Sequence, residues 1–557
     1  MSLVIFEQNR PLVLEGLGKG EFDYIEAASE VFETDFFGFI RAKAILSKLA
    51  QTYPTPRQKQ DVPLWLYVSS NLSMRLHGVH SFNAFPLMVR SGGMLNAFGP
   101  AAGRKVIHPD TGDVTIACEG FNNKNHYDRQ TPCDQDFLRK MAKDSCADRL
   151  MRWFGTDVVG IFRTQRAFDK EGIFLGDASY LFVPDNPNYE GSVRLLFDKD
   201  NHLVNRKDYQ KMTDEQKRRC QWRRCYKMVT LLHTNRNLEF FLFVAVNVIS
   251  GEDHECPVLY ELVKQFVEAM GKGVMKRLIL DRAFLDGKAI SICKKDYDID
   301  TLIPVRRDMD LYEDAMALFG LPEVDWVRCE EPVAKGHEPP RPRPKRLLRR
   351  EQNRQKKLQR LKEQNPPPPP EKTIVKREAA AIGEFRSWSS CTVPLTIVAN
   401  REHYADGHQE MWLLIDTKQI QDPTQSHQQY RLRTAIEERY RQLKCFTDLT
   451  HFTSRAFSMV VNQVVFIMLA YNLLELYLFQ QGRRDLTKKT PPLVRQQLLP
   501  SANHIVVYWQ NYYGLFSPLE FTEFIVTLAE QARKKIADKC RGLRRELTEL
   551  MRNPRPP

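Results

Sequence analysis

The 557-residue chain has no G-x4-G-K-S/T phosphate loop; GLGKGE at 16–21 lacks that pattern, so no ATP site is indicated. Its Cys residues number eleven, an odd count that excludes a disulfide-dense scaffold and points to reduced, intracellular thiols. Cys220 and Cys225 precede His233, His254 and Cys256, but no second paired-Cys motif completes a zinc site. The opening MSLVIFEQNRPLVLEG lacks a basic stretch leading into an apolar core, so no signal peptide is expected. The one long apolar run, Ala456 to Phe479, is interrupted by Asn462, Gln463, Asn472 and Glu475. That pattern suits a buried core helix better than a membrane span. A soluble, cytoplasmic protein without a membrane partner is expected.

What the chain does have is size, apolar residues and patchy positive charge. At 42% hydrophobic and 10% aromatic it can bury several cores, and two to four domains are expected. Residues 206–227 hold nine basic and three acidic residues, 341–363 eleven and two, and 531–557 nine and three. These segments sum to +21 against a formal net charge of +13, which leaves −8 for the rest. Basic charge gathered into patches is the footprint of a polyanion, nucleic acid first.

The stretch HQQYRLRTAIEERYRQLKCFTDL at 427–449 has no Pro or Gly and is rich in helix formers, which predicts one helix. Tyr430, Arg433, Glu437 and Lys444 then fall within roughly 60° of arc, a carboxylate among cationic and phenolic groups. Two further acids are candidates to join it. Asp177 interrupts the apolar run IFLGDASYLFV (173–183), as a functional charge, as a satisfied core Asp, or in a turn at Gly176–Asp177. Asp281 ends the buried-type strand KRLILD (276–281).

Between and after these acids the pattern reads as three strands (173–183, 226–234, 239–250), helix 258–271, strand 276–281, a helical stretch, and strand 301–307. Three antiparallel strands extended by strand–helix units make a mixed five-stranded sheet with flanking helices, the ribonuclease H-like layout. If the first and fourth strands are neighbours, Asp177 and Asp281 converge at one sheet edge, with Glu437 on a helix packed against it. Three carboxylates without a Cys/His cluster suit hard divalent ions with oxygen ligands.

The residues then become specific. Tyr430, Arg433, Glu437 and Lys444 match the spacing Y-x2-R-x3-E-x6-K at every position. This signature resembles that of a large group of DDE transposases of bacterial insertion sequences. The D-R-x-F at Asp281–Phe284 is similar to the family's second-acid motif, with Ala283 where Gly is common, and GDASYLF around Asp177 resembles the first. The resemblance spans about 170 to 480. It implies an endonuclease and polynucleotidyl transferase acting in DNA transposition and recombination, usually by cut-and-paste. It also implies that Asp177, Asp281 and Glu437 hold Mg²⁺, expected as two ions with Mn²⁺ as substitute, and that Tyr430, Arg433 and Lys444 contact DNA phosphates. The implied partners are double-stranded DNA, as terminal inverted repeats and target, and a second copy of the chain in a synaptic homodimer. The implied location is a prokaryotic cytoplasm, at the nucleoid when DNA-bound. Trp388 and Trp412 are candidates, by position, for stacking on an extruded base.

The expected organisation is a mainly helical N-terminal domain (1–165) that is also a candidate for DNA binding, then the first part of the catalytic domain (166–310). A β-rich insertion follows (311–425), carrying the basic, proline-rich segment 341–370 and the strand-like runs 391–400 and 410–416. The second catalytic part (426–485) leads into a helical, basic C-terminal region (486–557). The alternative function is a transposase-derived, sequence-specific DNA-binding protein without cleavage activity. A plain metal-dependent nuclease is disfavoured by the Arg–Tyr–Lys face beside Glu437.

Overall fold

A computed structural model describes residues 4–28, 32–58, 63–76, 81–82, 101–107, 110–112, 114–117, 135–329, 374–447, 449–490, 493–494, 504–510 and 512–539. The chain divides into two compact units, Met1–Arg277 with Arg433–Pro557, and Leu278–Leu432. In chain order the strands begin with β1 (Val4–Gln8), β2 (Tyr24–Ala28), β3 (Ala101–Ile107), β4 (Val114–Ala117), β5 (Ile173–Val183), β6 (Val193–Phe197), β7 (Gln221–Thr234) and β8 (Phe241–Ser250). They continue with β9 (Arg277–Leu280), β10 (Asp300–Pro304), β11 (Val327–Arg328), β12 (Ile374–Phe385), β13 (Leu395–Tyr404), β14 (Gln409–Asp416), β15 (His504–Trp509) and β16 (Tyr512–Phe516). Six helices concern the site: α1 (Arg206–Lys211), α2 (Asp214–Arg219), α3 (Glu255–Met270), α4 (Pro423–Tyr430), α5 (Thr434–Phe446) and α6 (Phe457–Gln480). The architecture is mixed α/β.

In the first unit β7 is the central strand of an antiparallel sheet. It pairs with β5 along one edge and with β8 and then β6 along the other. Ten consecutive residues of β7, Cys225 to Thr234, are buried, which is why the run is apolar without alternation. Asp177 sits in mid-strand opposite Thr230, so the turn reading of Gly176–Asp177 is set aside. A register shift between Leu231 and Leu232 disturbs the β7–β8 ladder opposite Val244. Asn472 of α6 bonds both backbone groups of the adjacent Phe243, accepting from its N–H at 2.8 Å and donating to its carbonyl at 2.7 Å. That partner explains one polar residue in the apolar helix. Asn462 donates to the Tyr67 hydroxyl at 3.0 Å, and helix α6 is a core helix, buried over most of its length.

His233 clamps the start of this sheet. Its Nδ1 lies 2.9 Å from the Ile173 carbonyl, and its Nε2 accepts from the Asp169 N–H at 2.9 Å, which assigns the proton to Nδ1. The ring stacks between Phe168 and Phe174, with centroids 5.2 and 4.5 Å away. Burial drives its pKa down to about 4, against the Ile173 carbonyl and Asp169, which favour the charged form.

Alongside helices at 10–18, 32–42, 45–52, 64–76 and within 135–164, the described N-terminal residues hold four strands. They join the late hairpin β15–β16 in a six-stranded sheet ordered β2–β15–β16–β1–β3–β4. From β15 onward, the described part of the C-terminal region begins with strands rather than helix. After that hairpin come helices Pro518–Thr527 and Glu530–Lys539, and the basic residues from 540 onward lie outside the described residues.

In the second unit β10, β14, β13, β12 and β11 form a wholly antiparallel ladder. The strand-like runs at 391–400 and 410–416 are thus strands, and 341–370 lies outside the described residues. The single helix expected at 427–449 is instead α4, a 3-10 turn at Arg431–Arg433, and α5. Arg-Leu-Arg favours helix intrinsically, so nothing in the local sequence marks the 3-10 turn.

Because His233 is neutral when folded and titrates near 6.5 when unfolded, its contribution is complete above pH 6.5 and is lost as pH falls towards 4. Denaturant unfolding at pH 7.5 and pH 5.0 is expected to show wild type losing about 2 kcal/mol more than His233→Gln across that interval. Equal losses would contradict this account of the clamp.

Candidate active site

Helix α5 is fixed to the sheet by side chains on its inner face. Ile436, Tyr440 and Leu443 are buried at helical spacing, and Tyr440 carries a hydroxyl into that apolar layer. The hydroxyl donates to the Asp177 carbonyl at 2.9 Å and lies 2.6 Å from Thr230 Oγ1. One turn on, Lys444 Nζ donates to Ser179 Oγ at 2.7 Å and to the Tyr180 carbonyl at 2.8 Å. Desolvation pulls the Lys444 pKa down to about 8 and outweighs the opposing pull of the Asp177 carboxylate. Burial, aided by the Asp177 charge, holds the Tyr440 phenol well above its usual range.

Glu437 occupies the exposed side of the same helix. Its carboxylate is half exposed and bonds Arg433 Nη2 at 2.6 Å, an i,i+4 pair. Such a surface pair contributes about 0.3–0.5 kcal/mol, so Glu437 can exchange Arg433 for a cation at small cost. Asp177 and Glu437 therefore belong to one unit and are tied to one strand–helix contact, through Asp177's own backbone. Tyr430 closes α4 in the second unit, its ring 5.8 Å from Trp412. Trp412 is also 5.7 Å from His427, whose Nδ1 lies 2.9 Å from Asn400 Oδ1. Trp388 is half-buried in the loop after β12, and its carbonyl accepts from the Cys391 N–H.

Asp281 follows β9 directly, in the second unit, and caps the short 3-10 turn Arg282–Phe284 by accepting from the Arg282 N–H at 2.7 Å. The side chain is partly exposed, as a ligand must be. Among the described residues no three His, Cys, Asp or Glu side chains are gathered as a ready-made metal cluster. The donor chemistry of Asp177, Asp281 and Glu437, carboxylate oxygens alone, fits Mg²⁺ or Mn²⁺ and not a thiolate-seeking ion. Cys225 and Cys256 are buried, and burial pushes the Cys225 thiol up to about 11, so Cys225 does not offer a thiolate.

Tyr440 and the buried pair behind it were not singled out from the sequence. Arg439 lies with its guanidinium 4.2 Å from the Phe241 ring centroid and near Glu475, whose pKa burial raises to about 8. The available signal was a tyrosine at an apolar helical position, which must find a partner for its hydroxyl. Tyr440→Phe leaves the Thr230 hydroxyl short of a buried partner, and a loss of about 1–3 kcal/mol is expected in denaturant unfolding. An unchanged midpoint would mean the helix is held by apolar contacts alone.

Comparison with known proteins follows the same residues. A family model described as transposase DDE domain matches residues 191–473, half of the chain, and includes Asp281 and the whole Tyr430–Lys444 signature. The match begins after Asp177, which leaves the first acid to the structural argument. No curated protein matches the chain. By the extent of that match and the signature it contains, the chain belongs to the DDE transposase family.

Proposed function

We propose that the protein is an active DDE transposase with a ribonuclease H-like catalytic core that cuts DNA at transposon ends and joins the freed strand to a target. The observation that carries this reading is the docking of the Glu437 helix onto the Asp177 strand through Tyr440 and Lys444. Asp177, Asp281 and Glu437 are the proposed metal ligands. The chemistry supplied by bound Mg²⁺, expected as two ions, is activation of a water or 3′-hydroxyl and neutralisation of the leaving oxygen.

The chain's own residues supply placement and charge. Arg433, paired with the exposed Glu437 carboxylate, brings a guanidinium to where a phosphate would be met, and Lys444 adds positive charge beside Asp177. Tyr430 with Trp412 offers an aromatic pair for contact with the DNA backbone or an extruded base. Cut-and-paste movement, terminal inverted repeats as substrate and a homodimer that joins two ends complete the reading. The end-binding protein without cleavage is kept as the second reading because the family match starts beyond Asp177.

The test uses purified protein, DNA spanning the flanks of its gene, and Mg²⁺ or Mn²⁺ against Ca²⁺. Asp177→Asn, Asp281→Asn and Glu437→Gln should each lower cleavage at least about a hundredfold, since even outer-shell partners of a metal cost 10- to 100-fold. End binding by gel shift should remain within about threefold of wild type. Full cleavage by any one variant would remove that residue from the ligand set. Specific binding with no cut by wild type would favour the second reading.

A further inference from the structure

The first unit carries a basic, aromatic surface that the site described above does not use. Strand β6 lies on the part of β7 beyond β8, and helices α1 and α2 fill the connection between β6 and β7. Register places Leu196 opposite Trp222 and Arg194 opposite Arg224. Trp222 is 57% exposed, the most exposed aromatic ring among the large hydrophobics of the described surface. The Arg194 guanidinium lies 5.7 Å from its ring centroid, and Lys217 Nζ lies 5.7 Å from the ring of Tyr209, itself 38% exposed. Arg223 sits 3.4 Å from the centroid of Phe182 and bonds Asn201. Lys207, Lys211, Arg218 and Arg219 are exposed on the two helices.

Acids offset part of this charge: Asp185 pairs with Arg194 at 3.0 Å and Glu215 with Arg219 at 2.5 Å. Nine basic residues against three acidic ones in 206–227 still leave a clear positive excess. The strand register relates the surface to the site. Trp222, Arg224, Tyr226, Met228 and Thr230 alternate onto one face of β7, opposite Val183, Leu181, Ser179 and Asp177 on β5. Trp222 and Asp177 thus share a sheet face, eight residues apart along β7, or roughly 27 Å at about 3.4 Å per residue.

We infer that the surface around Trp222, with Arg194 beside its ring and the Tyr209–Lys217 pair on the helices that lead into the same strand, binds single-stranded DNA, with Trp222 stacking on an unpaired base and the basic side chains tracking phosphates. An exposed ring flanked by cations is the arrangement that holds unpaired strands, since every base has a face to stack while a closed duplex offers none. A duplex would engage the cations only. This inference rests on the DNA-acting reading above and deepens it: an opened flank of the substrate would be held at one end of the sheet face that carries Asp177.

Fluorescence anisotropy with a labelled 20-nucleotide strand and its matched duplex, in Ca²⁺ and over a salt series, tests it on the full chain. Trp222→Ala should weaken strand binding roughly tenfold, leave duplex binding within about twofold, and keep the salt slope. Trp222→Phe should restore most of the strand affinity. Lys211→Ala with Arg218→Ala should instead flatten the slope by about 0.7 per lost phosphate contact. Equal strand affinities of wild type and Trp222→Ala, or no salt-dependent strand binding by wild type, would overturn the inference. Cleavage scored on the same preparations separates the two readings. Wild type that holds the strand through Trp222 but does not cut keeps this surface and removes the catalytic reading. Wild type that cuts while Trp222→Ala binds normally does the reverse.

Discussion

A buried phenol governs the geometry of this protein's site. The Tyr440 hydroxyl, shared between the Asp177 carbonyl and Thr230, joins the helix of one acid to the strand of another at a point where water does not compete. Hydrogen bonds in such surroundings are costly to leave unmade, so the contact fixes helix register as well as adding stability. Lys444 repeats the device one turn on, and its depressed pKa records the same dry environment. Glu437 lies one turn before Tyr440 on that fixed helix and is exposed and lightly held. Rigid backbone and exchangeable carboxylate are thereby combined on one helix, as the proposed metal site would require.

The support behind the helix follows the same logic. Helix α6 is apolar enough to cross a membrane by length and composition, yet most of its most apolar stretch is buried within the protein. Its polar residues each meet a specific need, Asn472 at the β7–β8 irregularity and Asn462 at Tyr67. Arg439 of α5 and Glu475 of α6 are both buried, and burial outweighs the arginine's electrostatic pull and raises the Glu475 pKa to about 8.

Much of this was readable from residues alone, for identifiable reasons. Strands β5, β7 and β8 announced themselves because buried strands must be apolar, and Asp177 stood out as the one charge in β5. The spacing from Arg433 to Lys444 pointed to one helix face, and α5 carries both Glu437 and Lys444. The terminal sheet was not readable, since its partners β1 and β16 are some 500 residues apart and no local pattern encodes that pairing. The break at Arg431–Arg433 was hidden because Arg and Leu favour helix whether or not the turn tightens. Strand β6 and helices α1 and α2 were hidden for the opposite reason, being short and polar enough to read as a basic loop.

The central claim is that three carboxylates, two of them set by the Tyr440 contact, together hold the catalytic cations. Electron paramagnetic resonance of Mn²⁺ with the full chain and a duplex spanning the gene's flank measures that directly. The account predicts a bound-Mn²⁺ signal in wild type that weakens in each of Asp177→Asn, Asp281→Asn and Glu437→Gln, and persists in an exposed-carboxylate control such as Glu261→Gln. Bound Mn²⁺ indifferent to all three acids would contradict it.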